Sequence, residues 1–202
     1  MISNEFRFLW FDPGGTTGWS YIALERAAFS RPDHKWTEWI KWWDCGELHG
    51  TEHDQLGQAV ALIAGAVDDV GYMSVDIGSE DFDLVQTIGG KQNLLSPVRI
   101  NSVLDWECRK RGVRLQLQNR ALRTHVTPIR LVRWGFEGPW RTKGAGKDAF
   151  AAMQHGVERI RLIKKQANAR PWKLSEGDRL SVYFDCACSY KKGARCDLRH
   201  AL

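Results

Sequence analysis

The stretch Phe11-Asp12-Pro13-Gly14-Gly15-Thr16-Thr17-Gly18 joins two runs that both read as strands. Upstream, residues 6–11 are aromatic or aliphatic at every position but Arg7, which is the pattern of a mostly buried strand. The Pro-Gly-Gly that follows stops it. Downstream, Trp19 to Leu24 resumes the apolar character, so the glycines sit in a hairpin. Trp36 to Leu48 reads as a third strand after a polar loop.

Beyond this opening the period changes. Leu56, Val60, Ile63, Val67 and Val70 recur in steps of three and four and define a helical stripe. Met73 to Ile77 is a fourth strand, leading into Gly78-Ser79-Glu80-Asp81-Phe82. Pro97 suits the first turn of a helix carrying Val98, Val103, Leu104 and Trp106. Residues 113–118 alternate apolar and polar, as a half-buried strand does. Residues 124–134 give a short helix, and Phe150, Met153, Val157 and Ile160 mark a final long one. Early strands with short links, followed by strand–helix alternation, imply an α/β fold: a mixed five-stranded sheet flanked by helices. The expected organisation is one domain over residues 1–166, with 167–202 as a small appendage or partly mobile tail.

Composition narrows the function classes. A 43% hydrophobic fraction supports a real core, and no run approaches the roughly 20 apolar residues of a membrane span. No basic region followed by an apolar run opens the chain, and five cysteines are an odd, irregular set, so a reducing cytoplasm is expected. The net charge of +5 is unevenly spread. Residues 1–105 hold 7 Lys and Arg against 16 Asp and Glu, and residues 106–202 hold 22 against 8. Such a basic half suits a polyanionic partner, and a solvated surface is the plainer reading.

Three acids stand at positions where chemistry could collect. Asp12 ends the first strand, Glu80 follows the fourth, and Asp148 begins the last helix. In a mixed sheet with the first and fourth strands adjacent, these ends can converge. Clustered carboxylates repel and lose hydration unless cations bind. Hard oxygen donors suit Mg²⁺ or Mn²⁺, and two such ions, typically ~3.5–4 Å apart, can drive phosphodiester hydrolysis. Each acid also has a structural reading: Asp12 as a turn residue, Glu80 or its neighbour Asp81 as surface charge, Asp148 as a partner of the helix dipole.

These segments carry a family resemblance. Phe11-Asp12-Pro13-Gly14-Gly15-Thr16-Thr17-Gly18-Trp19-Ser20 resembles the opening hairpin of RuvC-like Holliday junction resolvases, which belong to the RNase H-like superfamily. Val75-Asp76-Ile77-Gly78-Ser79-Glu80-Asp81-Phe82 is similar to their second acidic strand, and Lys147-Asp148-Ala149 to the start of their C-terminal helix. Thr127-Pro128-Ile129-Arg130-Leu131-Val132-Arg133-Trp134-Gly135 looks like the phage-encoded branch. The likeness covers roughly residues 6–165. It implies an RNase H-like nuclease with Asp12, Glu80 and Asp148 as catalytic metal ligands, cutting branched DNA such as four-way junctions as a homodimer. It implies 5′-phosphate and 3′-hydroxyl products, and the host cytoplasm if the gene is a phage's. The family's further ligand, one turn before the helix Asp, is here Ala145, which cannot bind metal. Asp81, Asp76 or His155 then substitutes, or three carboxylates suffice. His155 lies on the same helix face as Asp148 but about 10 Å along the axis, which favours a structural or DNA-facing role.

Other features compete for attention. Arg141, Lys143 and Lys147 flank Asp148 and could hold backbone phosphates. Trp36, Trp39, Trp42 and Trp43 could stack on unpaired bases, though such residues more often fill a core or interface. Cys186, Cys188, Cys196 and His200 have the atoms of a zinc site with atypical spacing. The Asp-x-Gly-x-Thr-type hairpin also opens the ATP-binding fold of actin, Hsp70 and sugar kinases, which needs a second domain and a second phosphate loop. A non-catalytic DNA-binding module on a nuclease fold is the remaining alternative.

Overall fold

The computed structural model describes residues 4–30, 35–82, 96–138 and 146–169. Arg141, Lys143, Ala145 and the Cys186–His200 segment lie outside them. Five strands form one sheet: β1 (Glu5–Asp12), β2 (Thr17–Glu25), β3 (Ile40–Leu48), β4 (Val75–Asp81) and β5 (Leu115–Asn119). Their spatial order is β3-β2-β1-β4-β5. β2 pairs antiparallel with β1 and β3, whereas β4 is parallel to β1 and β5 to β4. One strand therefore runs against the other four, which is the mixed five-stranded sheet expected from the sequence.

The pleat of β1 divides the molecule into two cores. Phe6, Phe8 and Trp10 pack on one face with Met153, Val157, Ile160 and Ile163 of α5 (Lys147–Ala169). Leu9 and Phe11 pack on the other with Ala59, Ile63 and Ala66 of α2 (Glu52–Val70) and Ile100, Leu104 and Cys108 of α3 (Ser96–Lys110). Buried on both faces, β1 is apolar from Phe8 to Phe11, as central strands are, and its charged residues Glu5, Arg7 and Asp12 fall towards its ends. A short helix α1 (Ala27–Ser30) follows β2, and α4 (Pro128–Arg133) follows β5 after a six-residue 3₁₀ turn, Arg120–His125. Thr51 begins α2 with a reciprocal capping box: its hydroxyl accepts from Asp54 N, and Asp54 Oδ2 accepts from Thr51 N. Among the described residues no helix is long and apolar enough to cross a membrane.

The structure corrects several boundaries. Trp36–Trp39 is a 3₁₀ turn rather than strand, so β3 begins only at Ile40. β4 continues through Asp81, which places Glu80 inside the strand rather than after it. Residues 124–134 are not one helix: Pro128, which has no N–H to give, takes the first turn of α4 behind a Thr127 cap. On α2 the residues turned fully inward are Gln55, Ala59, Ile63 and Ala66, with Leu56, Val67 and Val70 at the flanks. Small alanines let that helix sit close to the sheet. Of the residues named for α3, Leu104 is buried and Trp106 is 71% exposed.

The tryptophan group divides in the same way. Trp36 is buried against Trp134 and Phe136, and Trp39 and Trp43 pack at the edge of that core. Trp42 stays 37% exposed on the other side of β3, edge-on to Tyr21 and beneath the Arg7 guanidinium.

Candidate metal centre

Strand parity assembles the site. Even-numbered residues of β1 face α5, so Asp12 follows Phe6, Phe8 and Trp10 to that side. On β4, Val75 and Ile77 face α2 and α3, which turns Asp76, Gly78 and Glu80 towards α5. Phe11 pairs with Ser79 in the parallel β1–β4 ladder, so Asp12 and Glu80 are lateral neighbours one step further on. Asp81, of opposite parity, is exposed and is not part of the cluster.

α5 begins above β2 and crosses to β4. Its first turn lies on Gly18, where an added Cβ would stand 1.9 Å from the Asp148 carbonyl oxygen. The Asp148 N–H donates to Glu47 Oε1 of β3 at 3.1 Å. One turn on, Ser20 Oγ donates to the Ala152 carbonyl at 2.9 Å, with Gly156 giving the Ser20 hydroxyl room. Another turn brings His155 over β1 and β4, where its Nε2 lies 3.0 Å from Glu80 Oε2. Trp10 stacks on the His155 ring at 16° and 6.1 Å, and its indole covers Gly78, where a Cβ would lie 2.4 Å away. Arg159 then places two guanidinium nitrogens on Asp76 Oδ2, at 3.1 and 3.0 Å.

Asp12, Glu80 and His155 each offer a ligand atom, and these atoms lie within 4.8 Å of one another. Asp148 is outside that tight group, yet close enough for its charge to act on Asp12. Arg123, from the 3₁₀ turn after β5, reaches in between: its Nη1 donates to Asp12 Oδ1 at 2.9 Å and forms an ion pair with Glu80 Oε2 at 2.8 Å. Lys147 is exposed at the start of α5.

The electrostatics are those of a site short of positive charge. Burial, then the neighbouring Glu80, pushes the Asp12 carboxyl up to about 8 against the opposing pull of Arg123. Burial alone would raise Glu80 as well, but hydrogen bonds from His155 and Asp12 and the charge of Arg123 hold it below the ordinary range. Burial and Glu47 raise Asp148. Burial lowers His155 despite Glu80, so the imidazole is kept in the neutral form that can ligate metal. His155 Nδ1 and Trp10 Nε1 are buried without hydrogen-bond partners among the described residues.

His155 and Arg123 are the residues whose part in this arrangement sequence spacing did not deliver. The axial distance between His155 and Asp148 is real, but α5 spans the sheet, so His155 meets Glu80 across the helix–sheet interface instead. Arg123 has a faint signal: β5 lies beside β4, and Asp81 pairs with Asn119, so a cation just after β5 falls next to the acidic strand end. Glu47, which holds the start of α5, gave none.

No family model matches the chain, and no curated protein does. Among solved structures, the fold is similar to RuvC from T. thermophilus in complex with a Holliday junction substrate, at TM-score 0.49 and 9% identity, over 78% of this chain and 96% of that one. It is also similar to a second Thermus thermophilus RuvC structure, at TM-score 0.44 and 12% identity with the same coverage. At these scores and identities, nothing about this chain's substrate follows from either likeness.

Proposed function

We propose that this chain is a metal-dependent endonuclease that hydrolyses phosphodiesters in branched DNA, as a junction resolvase does, and that it works as a homodimer on two strands. The observation that carries the proposal is the meeting of Asp12, Glu80 and His155 within 4.8 Å at the carboxyl ends of two adjacent parallel strands. The two carboxylates are hard oxygen donors that suit Mg²⁺ or Mn²⁺, and the neutral imidazole adds a nitrogen donor, the softer member of the set. The rise of Asp12 under burial and under Glu80 supports the fit, because the site is relieved by cation binding.

Asp12, Glu80 and His155 would hold one ion, and Asp148, with Asp12, would serve a second. When bound, such ions supply water activation and stabilisation of the leaving oxygen. The chain's own residues do the rest. Trp10 fixes the plane of the His155 ring and keeps water from its inner side. The contact of α5 with Gly18 and Glu47 sets where the Asp148 carboxylate stands. Arg120 and Lys147, exposed near His155 and Asp148, and the exposed Arg130 and Arg133 of α4 would neutralise backbone phosphates; Arg141 and Lys143 are proposed for the same task from sequence alone. Asp81 is exposed beside the site and would take part only through water. Gly18 is used to admit a helix, which gives the opening hairpin a purpose other than approaching a nucleotide phosphate.

The deciding experiment is a cleavage assay on four-way, forked, flapped and linear DNA with Mg²⁺, Mn²⁺ or EDTA. The reading expects metal-dependent nicking of branched substrates above linear duplex. No cleavage of any substrate with either metal, despite tight junction binding, would favour the non-catalytic DNA-binding alternative.

A further inference from the structure

We propose that Arg123 is a built-in counter-ion that competes with the divalent cation for Asp12 and Glu80, so that loading the metal unfastens the 120–125 turn from the site. This rests on the metal-site reading above. One nitrogen, Arg123 Nη1, takes both Asp12 Oδ1 and Glu80 Oε2, and the latter also faces His155. A cation bound by the same acids draws on the same lone pairs. A lysine there could shed its proton; a guanidinium cannot, so Arg123 must move.

The turn carrying Arg123 is made for movement. None of its six residues is buried, and every one except Arg123 is exposed. Its local ties are light: Asn119 Oδ1 accepts from Ala121 N at 2.8 Å, and Thr124 Oγ1 donates to the Ala121 carbonyl at 2.7 Å. Gln154 of α5 donates to the carbonyls of Arg123 and Val126, and Val126 is fully buried, which anchors the far end of the turn. Between the β5 end and Val126, the turn is held by the Arg123 side chain on Asp12 and Glu80, by Gln154 on the Arg123 carbonyl, and by Arg130 Nη1, which donates to the His125 carbonyl at 2.6 Å; only the first of these reaches the two acids. Segments with few buried contacts open at low cost.

Hydrogen exchange on the full wild-type chain tests this with Mn²⁺ alone, without DNA. Amides 121–125 are expected to exchange faster with Mn²⁺ than with EDTA, while those of β4 and of α5 around His155 slow down. Calorimetry on Arg123→Gln is expected to show Mn²⁺ bound about tenfold more tightly than by the wild type, since a charge-assisted competitor is gone. Protection of amides 121–125 by Mn²⁺ in the wild type would overturn the proposal, whether or not the variant folds. So would equal Mn²⁺ affinity in a folded Arg123→Gln chain, which would leave the metal site standing. Absence of Mn²⁺ binding by both chains would sink the metal-site reading itself.

Discussion

Replacing Gly18 with alanine probes the contact on which the placement of Asp148 depends. The new methyl would lie 1.9 Å from the Asp148 carbonyl oxygen, 2.0 Å from its carbonyl carbon and 2.6 Å from Ala149 N. Ordinary contact begins near 3.4 Å, so the first turn of α5 must withdraw by roughly 1.5 Å. Backbone atoms cannot rotate aside as a side chain can, which places the cost at the upper end of overpacking, about 3 kcal/mol. For a chain of this size that lowers the melting temperature by about 6–12 °C. Glu80 and His155 sit away from the clash, whereas Asp12 is the ladder partner of Gly18, so Mn²⁺ binding weakens without being lost. If the chain is the proposed nuclease, cleavage falls about 100-fold, because a displacement of this order at a carboxylate serving the reaction costs that much. Gly15→Ala is the control: it lies in the same hairpin with nothing within 4 Å of the new methyl, and it leaves both melting and cleavage as they were. Calorimetric melting with a junction-cleavage time course reads both effects. A Gly18→Ala protein that melts within about 1 °C of wild type and cuts at the wild-type rate would refute the close approach of α5 to β2.

Other outcomes follow from the same geometry. Asp12→Asn abolishes Mg²⁺-dependent cleavage and leaves junction binding largely intact in a gel-shift assay; undiminished cutting would remove Asp12 from the metal centre. In EDTA, Asp12 keeps its proton when folded up to about 8 but loses it near 3.8 when unfolded, so stability falls as pH rises through that window. Glu80 acts in the opposite sense, and its contribution is lost only as pH falls below its ordinary 4.5. Denaturation of Asp12→Asn should be flatter than wild type between those limits, and an equal slope counts against a raised Asp12. Gly57→Ala and Gly65→Ala, at exposed α2 positions with open space for a methyl, each stabilise by about 0.5–1 kcal/mol in urea titrations; a loss at either would mean the helix packs differently there. Junction affinity should fall linearly on a log–log plot against salt, and a flat plot would exclude phosphate contacts by the basic residues near the site.

Much of this was legible because strands and helices impose periods. The run Phe6–Phe11 reads as a mostly buried strand, and the Pro-Gly-Gly after it puts Asp12 at its end. Glu80 and Asp81 are chemically near-equivalent neighbours, and sequence alone left them as rivals; the pleat separates them by turning one towards α5. His155 was discounted because distance was measured along one helix, whereas the site is assembled across a helix–sheet interface. Arg123 depends on where the turn after β5 falls in space, which no local pattern encodes. Trp36–Trp39 has strand-like composition, yet its tertiary packing against Trp134 and Phe136 favours a 3₁₀ turn.

The alternation along β4 works as an error-checking code. A slip of one residue would bring Asp81 to the place of Glu80, and at first sight exchange one acid for another. The same slip would swing Asp76 into the apolar layer of Ile63, Ile100 and Leu104, and set Ile77 against the Arg159 guanidinium. A chain with the wrong acid in the site is thus also a chain that cannot close its cores. Quality control of the fold and fidelity of the chemistry are written in one reading frame, two residues wide.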